Sequence, residues 1–311
     1  MKTRTLISRT LTVFFAAALP LAALAQTPSP APQPPTPLLW KISDADNAVY
    51  LLGSFHLLKP NDYPPSKDVE DAFADAESLM FEVSPEEMTA PDLAARAQQA
   101  AMIAEGKTLA DVLPQATLTK LQQIMQISGT PMEQVEHLDP WALEAGMVTG
   151  MAQATGFRQE LGLDAYFMQR AQRAGKPATG LETLDVQLAT LDGTPYPEQA
   201  YSLGKILDNP QQAILDLNDL HTAWRTGDVA KMDSEMRADM AEKTPESYRL
   251  MNIVRNDAWL PQIMQRLDEA KSGNTLIVVG ALHLLGSDGL VEKLRAKGYK
   301  VERICSACTA Q

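Results

Sequence analysis

Cysteine and histidine are scarce in this chain, which has 2 cysteines and 4 histidines among its 311 residues. Cys305 and Cys308 both lie in the last seven residues, and a closed zinc site would need two further ligands that the nearby sequence does not supply. In an exported protein such a pair is typical of a small local disulfide. A redox-active pair is the alternative, disfavoured because catalytic C-x-x-C motifs open a helix and only three residues follow Cys308.

Positive charge is also in deficit, since the formal net charge is -12. The first 25 residues carry Lys2, Arg4 and Arg9 and no acidic residue, so removing these three positive charges leaves -15. An anionic surface of this size repels phosphate backbones and anionic lipids, which argues against nucleic-acid and membrane-surface partners. Cationic or metal-bearing ligands stay open, as do peptide and small-molecule substrates.

Long hydrophobic runs are missing beyond the N-terminal region. The three positive charges there precede "LTVFFAAALPLAALA", whose last residues fit the small-residue rule of signal cleavage. Residues 1–25 are therefore predicted to be a signal peptide cut between Ala25 and Gln26, and no cysteine follows the apolar core to carry a lipid anchor. We expect a periplasmic or secreted protein with no stable membrane insertion after cleavage.

Large apolar side chains are absent from "TPSPAPQPPTP", which holds six prolines. A segment of this composition is expected to form an extended spacer, so residues 26–37 are predicted to be a Pro-rich linker and residues 38–311 the folded domain. Apolar strands near both ends of that domain, "LLWKIS" and "NAVYLLG" first and "TLIVVG" and "YKVERI" last, bracket a largely helical middle. For the strands to share a sheet the chain must return on itself, which predicts an α+β or α/β domain with a helical insert.

Two nine-residue segments repeat the same pattern at opposite ends of the domain. "YLLGSFHLL" covers residues 50–58 and "IVVGALHLL" covers residues 277–285, so Gly53 aligns with Gly280 and His56 with His283. A glycine at a strand end permits close backbone approach, and the histidine three residues later is expected on a tight turn above the sheet. Ligand crevices in open sheets form at that edge, so the two imidazoles are predicted to lie together.

Two glutamates are expected at the same edge, because Glu82 ends the apolar run "SLMFEV" and Glu182 ends "PATGLE". Two neutral imidazoles with one or two carboxylates form a ligand set that suits zinc, manganese, iron or cobalt. Such an ion lowers the pKa of coordinated water, to about 7 on zinc. The second carboxylate is then a candidate general base, or a group that orients a ligand histidine.

Each of these residues also has a purely structural interpretation. A lone histidine after a strand usually caps it, Glu82 fits a salt bridge, and Glu182 fits a charge placed before a helix N-terminus. Asp164 in "LGLDAYF" is expected to N-cap its helix, and a solvated helix face is the default for Arg255 and Asn256. His137 and His221 lack the glycine pattern and are predicted to be structural, and the methionines are predicted to fill the core.

Taken together, "LLWKISDADNAVYLLGSFHLL", "LMFEV", "LGLDAYF", "GLET", "VRND" and "GALHLLG" resemble the TraB/GumN family from about Leu38 to Ile304. The relatives include the TIKI proteins, which are metal-dependent proteases. The resemblance implies an α+β fold like that of erythromycin-esterase-like and ChaN-like proteins, with a pseudo-symmetric central mixed sheet and a large helical insert. It further implies His56, Glu82 and His283 as ligands of a divalent metal, manganese or cobalt in the TIKI case.

The same resemblance implies Asp164, Glu182, Arg255 and Asn256 as further site residues. Our functional hypothesis is a periplasmic metal-dependent hydrolase that acts on peptides, with Glu182 as base or orienting group. Arg255 and Asn256 would then stabilise negative charge that develops on the substrate. The alternatives are a protein that binds a peptide, a metal or haem in the same crevice without turnover, and a structural protein in which the histidines cap strands.

Overall fold

A computed structural model describes residues 33–44, 46–268 and 273–308. The predicted signal peptide and the first part of the predicted linker lie outside these residues. Gln33 to Pro37 are described and have no regular structure, but Pro35 and Pro37 are buried. The Thr36 amide donates to the carbonyl of Arg225 (2.8 Å), so this end of the linker lies against the domain.

The sheet has six strands in the spatial order β4-β3-β5-β2-β1-β6. In chain order they are β1 Leu39–Ser43, β2 Ala48–Ser54, β3 Ala76–Val83, β4 Ala178–Glu182, β5 Asn274–Gly280 and β6 Lys300–Arg303. Strands β4, β3, β5 and β2 are parallel, whereas β1 is antiparallel to both of its neighbours. The fold is therefore α+β with a mixed sheet in which the first and last strands of the described residues pair; the pseudo-symmetry stays a prediction.

The central strands consist of nearly continuous apolar residues, because helices cover both faces of a parallel sheet. All seven residues of β2 are buried, as are five of the seven in β5. These strands form the main core together with helices from both ends of the domain. The first two strands form a hairpin, with Leu39 paired to Leu52 and Ser43 to Ala48.

Helices fill the connections between strands. They are α1 Lys67–Asp75, α2 Pro85–Met88, α3 Leu93–Ala100, α4 Leu109–Val112, α5 Gln115–Ser128, α6 Pro140–Ala154, α7 Leu163–Ala174, α8 Leu184–Asp192, α9 Tyr196–Asp208, α10 Pro210–Thr226, α11 Val229–Met232, α12 Ala238–Lys243, α13 Pro245–Tyr248, α14 Arg255–Asp268 and α15 Leu290–Ala296. Between β3 and β4, and again between β4 and β5, several helices build a second cluster of buried apolar residues that includes Leu109, Leu121 and Leu203. Among the helices that the structure describes, none is long and apolar enough to cross a membrane.

Two stretches of π-helix interrupt this helical part, Asp233–Arg237 between α11 and α12 and Arg249–Val254 between α13 and α14. For residues 249–271 the sequence predicts one long helix with a kink at Pro261. The structure has a π-helical stretch at the start of this segment, and Pro261 lies inside the α-helix α14. A π-helical turn contains an extra residue and is found frequently at functional sites. These two stretches flank the cavity described below.

The C-terminal cysteines form the predicted local disulfide. Cys305 and Cys308 are joined across a separation of three residues, with Cα atoms 5.3 Å apart. Ser306 between them donates its amide and its hydroxyl to the carboxylate of Asp68 on α1. The disulfide closes this short turn on itself, and the two bonds to Asp68 attach the turn to α1.

Candidate functional site

Four residues stand at one edge of the sheet, where the parallel strands end. His56 follows β2, Glu82 is the second last residue of β3, Glu182 ends β4, and His283 lies three residues beyond β5. The two histidines differ in local structure, because His56 lies in a loop whereas His283 belongs to a 3-10 helix, Ala281–Leu284. The edge predicted from the strand ends thus contains all four of these side chains.

Glu82 lies between the two histidines. Its Oε1 atom is 3.9 Å from Nε2 of His283 and 4.0 Å from Nε2 of His56, distances too long for hydrogen bonds. The same oxygen accepts a hydrogen bond from the amide of Gly280 (2.7 Å). A Cβ atom at Gly280 would lie 3.2 Å from both Glu82 Oε1 and His56 Nε2, so glycine leaves the space in which these side chains approach each other.

The orientation of His283 is set by Asn256. The Asn256 amide nitrogen donates to the carbonyls of His283 (3.2 Å) and Asp288 (2.9 Å), which fixes its oxygen toward Nδ1 of His283 at 2.8 Å. This network assigns the proton to Nδ1 and leaves a lone pair on Nε2. Burial lowers the pKa of His283 to about 3, so the ring is neutral at physiological pH.

His56 is held in a comparable way by a carboxylate. Its Nδ1 is 3.1 Å from Oδ1 of Asp164, which also accepts a hydrogen bond from the Ser54 hydroxyl (3.2 Å). The charge of Asp164 raises the pKa of His56 to about 9, against the opposing effect of burial. The side chain is 59% exposed at the mouth of the site. The Nδ1–H bond to Asp164 is made in both protonation states, and Nε2 faces Glu82.

Arg255 occupies the centre of the site and contacts three of its members. Nη2 donates to Glu82 Oε2 and to Glu182 Oε1, both at 2.6 Å, and Nη1 donates to the Nε2 lone pair of His283 at 3.1 Å. Burial alone would raise the pKa of Glu82, but the positive charge of Arg255 and the contacts with both histidines hold it well below its usual range. Glu82 is therefore an anion throughout the physiological range.

For the two α14 residues the structural alternative, a solvated helix face, is wrong, because Arg255 is 8% exposed and Asn256 is fully buried. The helix packs this face against the strand ends, where each polar group finds a partner. Because both Asn256 donors bind backbone carbonyls and its oxygen faces His283, Asn256 orients the imidazole and has no donor left for a substrate.

The predicted N-cap role of Asp164 is also wrong. Gly162 is the N-cap of α7, and Asp164 lies in the first helical turn with its carboxylate directed at Ser54 and His56. A Cβ atom at Gly162 would lie 2.5 Å from the carbonyl oxygen of His56, so the glycine lets α7 start against the His56 loop. That close approach is what places Asp164 beside the imidazole.

Glu182 is bound to donors on α14. Its carboxylate accepts from Nε and Nη2 of Arg255 and from Nε1 of Trp259 (3.2 Å), and its side chain is 5% exposed. Burial raises its pKa in spite of Arg255. This arrangement makes Glu182 a group that positions Arg255. Glu182 also stands directly before Thr183, the N-cap of α8, as its structural alternative expects, but its carboxylate is bonded to α14.

Sequence reasoning missed two side chains of the site. Gln187 donates to Oε2 of Glu82 (3.1 Å), and the Trp259 ring lies 4.5 Å from the His283 ring and 4.6 Å from the Arg255 guanidinium. Trp259 follows Arg255 by four residues, and this helical spacing could have placed both on one face. No local signal distinguishes Gln187 from other polar residues of an exposed helix.

The donor chemistry of the site fits a divalent metal, although its spacing is wide. Two imidazole nitrogens directed at one carboxylate, each ring held by an oxygen at Nδ1, form the arrangement of metal-ligating histidines. Two ligand atoms of a tetrahedral metal ion are about 3.4 Å apart. Each histidine Nε2 would therefore have to lie roughly 0.5 Å closer to Glu82 Oε1 than it does here. Within residues 33–44, 46–268 and 273–308, no three His, Cys, Asp or Glu side chains are close enough to hold a metal as they stand.

A cavity of about 360 Å³ opens from this edge of the sheet. Its polar end is formed by His56, Glu82, Arg255 and His283. The remaining wall is apolar and is contributed mainly by the helical part of the chain; it includes Leu217, Leu220, Met236, Met240, Met251 and Leu282. Met232 also lines the cavity and is buried, whereas the prediction that the methionines fill the core is wrong for Met236, Met240 and Met251, which are partly exposed there.

Comparison with known proteins finds matches over most of the chain. The sequence profile of the TraB/PrgY/gumN family matches residues 38–303. The uncharacterized protein YbaP of Escherichia coli (strain K12) is 24% identical over 259 residues, which cover 79% of this chain and 87% of YbaP. The metalloprotease TIKI2 of Danio rerio is 20% identical over 309 residues, which cover 81% of this chain and 58% of TIKI2. No solved structure matches, so the expected likeness to erythromycin-esterase-like and ChaN-like folds stays a prediction.

Proposed function

Because this chain belongs to the TraB/PrgY/gumN family, we propose that it is a metal-dependent hydrolase of the periplasm that cleaves peptides. His56, Glu82 and His283 bind the ion, which is manganese, cobalt, zinc or iron. The observation that supports the proposal most is the approach of two imidazole Nε2 atoms to one oxygen of Glu82, at 3.9 and 4.0 Å. The name of a distant relative, the metalloprotease TIKI2, agrees with it.

The ion, when bound, supplies a Lewis acid that polarises a carbonyl and makes water acidic enough to attack it at neutral pH. The protein residues supply the rest. Asp164 and Asn256 hold the two rings with Nε2 directed at Glu82, and Gly280 leaves room for the three side chains to close. For His283 to bind the ion, Nη1 of Arg255 must leave its lone pair.

Arg255 is then the group that stabilises negative charge on the substrate. It borders the cavity, its charge is already paired with two buried carboxylates, and Nη1 becomes available when it leaves His283. Positioned donors of this kind act on charge that develops in the transition state. Glu182 keeps the guanidinium in place through three hydrogen bonds, which is the orienting role rather than the base role.

The proposal is tested by peptide cleavage. The chain from Gln26 onward is purified and incubated with a peptide mixture after addition of manganese, cobalt, zinc or iron, or of a chelator, and products are identified by mass spectrometry. We expect cleavage only with metal, and none by Glu82→Gln. His137→Ala is the control, because His137 lies apart from the site beside Glu136. Metal-independent cleavage, or equal cleavage by Glu82→Gln, would overturn the proposal.

A second candidate is a protein that captures peptides in this cavity without turnover. It is favoured by the hydrogen bonds that engage Glu182 with Arg255 and Trp259, which leave the predicted base without an obvious route to water. Such a protein would bind peptides and leave them intact. Glu182→Gln would then preserve its affinity for them, whereas in the hydrolase it would lower the rate by disturbing Arg255.

A further inference from the structure

The cavity combines a charged end and an apolar wall that come from different parts of the chain. The strand ends contribute His56, Glu82 and His283, while the helices that follow β3 and β4 contribute most of the apolar side chains. A substrate that fills it must therefore place a polar group at the strand ends and an apolar group against the helices. The proposed reaction needs the polar group, and the apolar wall has so far no role.

Four methionines belong to the apolar wall that the helices contribute. Met232, Met236 and Met240 follow one another at intervals of four residues along one helical stretch, and Met251 belongs to the next. Met232 is buried, whereas the other three are partly exposed toward the cavity. Methionine side chains are unbranched and polarizable, so a surface of this kind adapts to apolar groups of different shape.

The backbone of this wall is unusual as well. Met236 lies in the π-helical stretch Asp233–Arg237, and Met251 lies in the π-helical stretch Arg249–Val254. Both stretches line the same cavity, and the second one leads directly into Arg255. Since π-helical turns occur preferentially at functional sites, their presence on two neighbouring walls points to a binding surface rather than to accidental loose packing.

The size of the cavity selects the kind of occupant. At about 360 Å³ it is near the lower end of the roughly 300–1,000 Å³ that ligand pockets span. That volume suits one large apolar side chain next to the bond at the polar end, and it is small for a folded partner or a whole lipid. Tyr248 and Asn252 also line it, and their polar groups are already bonded to each other (3.2 Å).

We infer that this methionine-lined cavity is a specificity pocket that receives a long, unbranched or aromatic apolar side chain of the substrate peptide beside the bond to be cleaved. The inference rests on the proposed function for the identity of that bond. Each methylene buried contributes about 0.8 kcal/mol. The pocket is therefore expected to prefer each added methylene roughly fourfold, or about 60-fold from alanine to norleucine.

Binding and cleavage of one peptide series test the inference separately. Acetylated and amidated Gly-Gly-Xaa-Gly-Gly peptides, with Xaa alanine, norleucine, phenylalanine or aspartate, are titrated into protein labelled with ¹³C at the methionine methyl groups. Dissociation constants come from the shifts of the methyl signals, and cleavage is followed in the same samples after metal is added. Met236→Gln removes apolar character at nearly constant size, Met236→Leu retains it, and Met102→Gln is the matched control at an exposed methionine outside the cavity.

We expect norleucine and phenylalanine to bind best and to shift the signals of Met236, Met240 and Met251. The preference should shrink in Met236→Gln and persist in Met236→Leu and Met102→Gln. Equal binding of all four peptides, or palmitate binding to the same methyl groups more tightly than any peptide, would overturn the inference. Selective binding without cleavage would support the specificity pocket and contradict the proposed hydrolase function. Cleavage without selectivity would support the hydrolase function and contradict the specificity pocket.

Discussion

The two Gly-x-x-His segments have the same spacing in the sequence and different surroundings in the structure. The His56 side chain is 59% exposed, is hydrogen-bonded to the Asp164 carboxylate and has a raised pKa. The His283 side chain is 8% exposed, is hydrogen-bonded to the Asn256 amide oxygen and has a lowered pKa. Of the two histidines, only His283 accepts a hydrogen bond from Arg255. A repeated motif thus supplies one open, titratable imidazole and one buried, permanently neutral imidazole to the same edge.

The register of the sheet explains part of this difference. Gly53 pairs with Val279 and Gly280 pairs with Ser54, so the aligned glycines are offset by one residue. Successive residues of a strand point to opposite faces, and such an offset reverses the face. Added Cβ atoms would accordingly meet different neighbours, Leu38 and Ala281 at Gly53 but Glu82 and His56 at Gly280. Similarity in sequence does not make the two histidines equivalent.

The largest effect is expected from removing the guanidinium that distinguishes the His283 side. Arg255→Met leaves Glu82 and Glu182 buried without their cation, and breaking a buried ion pair in this way lowers the free energy of unfolding by about 3–5 kcal/mol. Arg249→Met is the control, because Arg249 pairs with Glu246 in solvent, where the pair adds little to stability. Denaturant unfolding measures both, and equal losses would contradict the account.

Replacing the two histidines one at a time should lower the free energy of unfolding by different amounts. His283→Ala removes the partner of the buried Asn256 oxygen and is expected to lower the free energy of unfolding by about 1–3 kcal/mol. His56→Ala, at the exposed mouth, is expected to change it by no more than about 0.5 kcal/mol in metal-free protein at pH 10, where the ring is neutral and its ion pair with Asp164 no longer contributes. Thermal unfolding of the two variants side by side gives the comparison. A greater loss for His56→Ala would reverse our assignment of the structural partner.

The two glycines offer a sharper version of the same comparison. Gly280→Ala places a methyl group among the far ends of Glu82 and His56, so it should lower metal affinity roughly 10-fold or more with little loss of stability. Gly53→Ala presses on Leu38 and on the backbone of Ala281 and should cost about 1–3 kcal/mol of stability while metal affinity is kept. Calorimetry with manganese and zinc, together with unfolding curves, tests whether the two effects are separate.

The smallest expected effect concerns protonation. In metal-free protein the ring of His56 should titrate with a pKa of about 9, because Asp164 favours its charged form, and Asp164→Asn should bring the pKa down toward about 6.5. The ring of His283 should stay neutral from pH 5 upward in both proteins, because its pKa is about 3. Histidine ¹H–¹⁵N spectra recorded against pH report both rings. An unchanged His56 titration in Asp164→Asn would show that Asp164 is not the cause.

The strands and the residues that end them were predictable from sequence, for a physical reason. Continuous apolar runs that end in glycine or a charged residue have few structural interpretations, and parallel strands bring their carboxyl ends to one edge. The prediction therefore placed four residues at the edge of the sheet where the structure has them, namely His56, Glu82, Glu182 and His283. The C-terminal disulfide was predictable because only two cysteines exist and they are three residues apart.

The partners of these residues could not be predicted, because they depend on how helices pack across the sheet. Arg255 and Asn256 look like surface residues until α14 is placed against the strand ends. Asp164 looks like a cap until α7 is brought against the carbonyl of His56. Likewise, helical periodicity places Met236 and Met240 on an apolar face but does not show that this face borders a cavity rather than a filled core.

The central claim is that both histidines and Glu82 share one metal ion, and metal content tests it most directly. The chain from Gln26 onward is purified beside the His56→Ala, His283→Ala double variant and the His137→Ala control, each shown to be folded by circular dichroism. Elemental analysis and calorimetry then give stoichiometry and affinity for manganese, cobalt, zinc and iron. The account predicts one ion per chain in the parent and in His137→Ala, and none in the double variant. Equal metal binding by all three proteins, or by none of them, would contradict it.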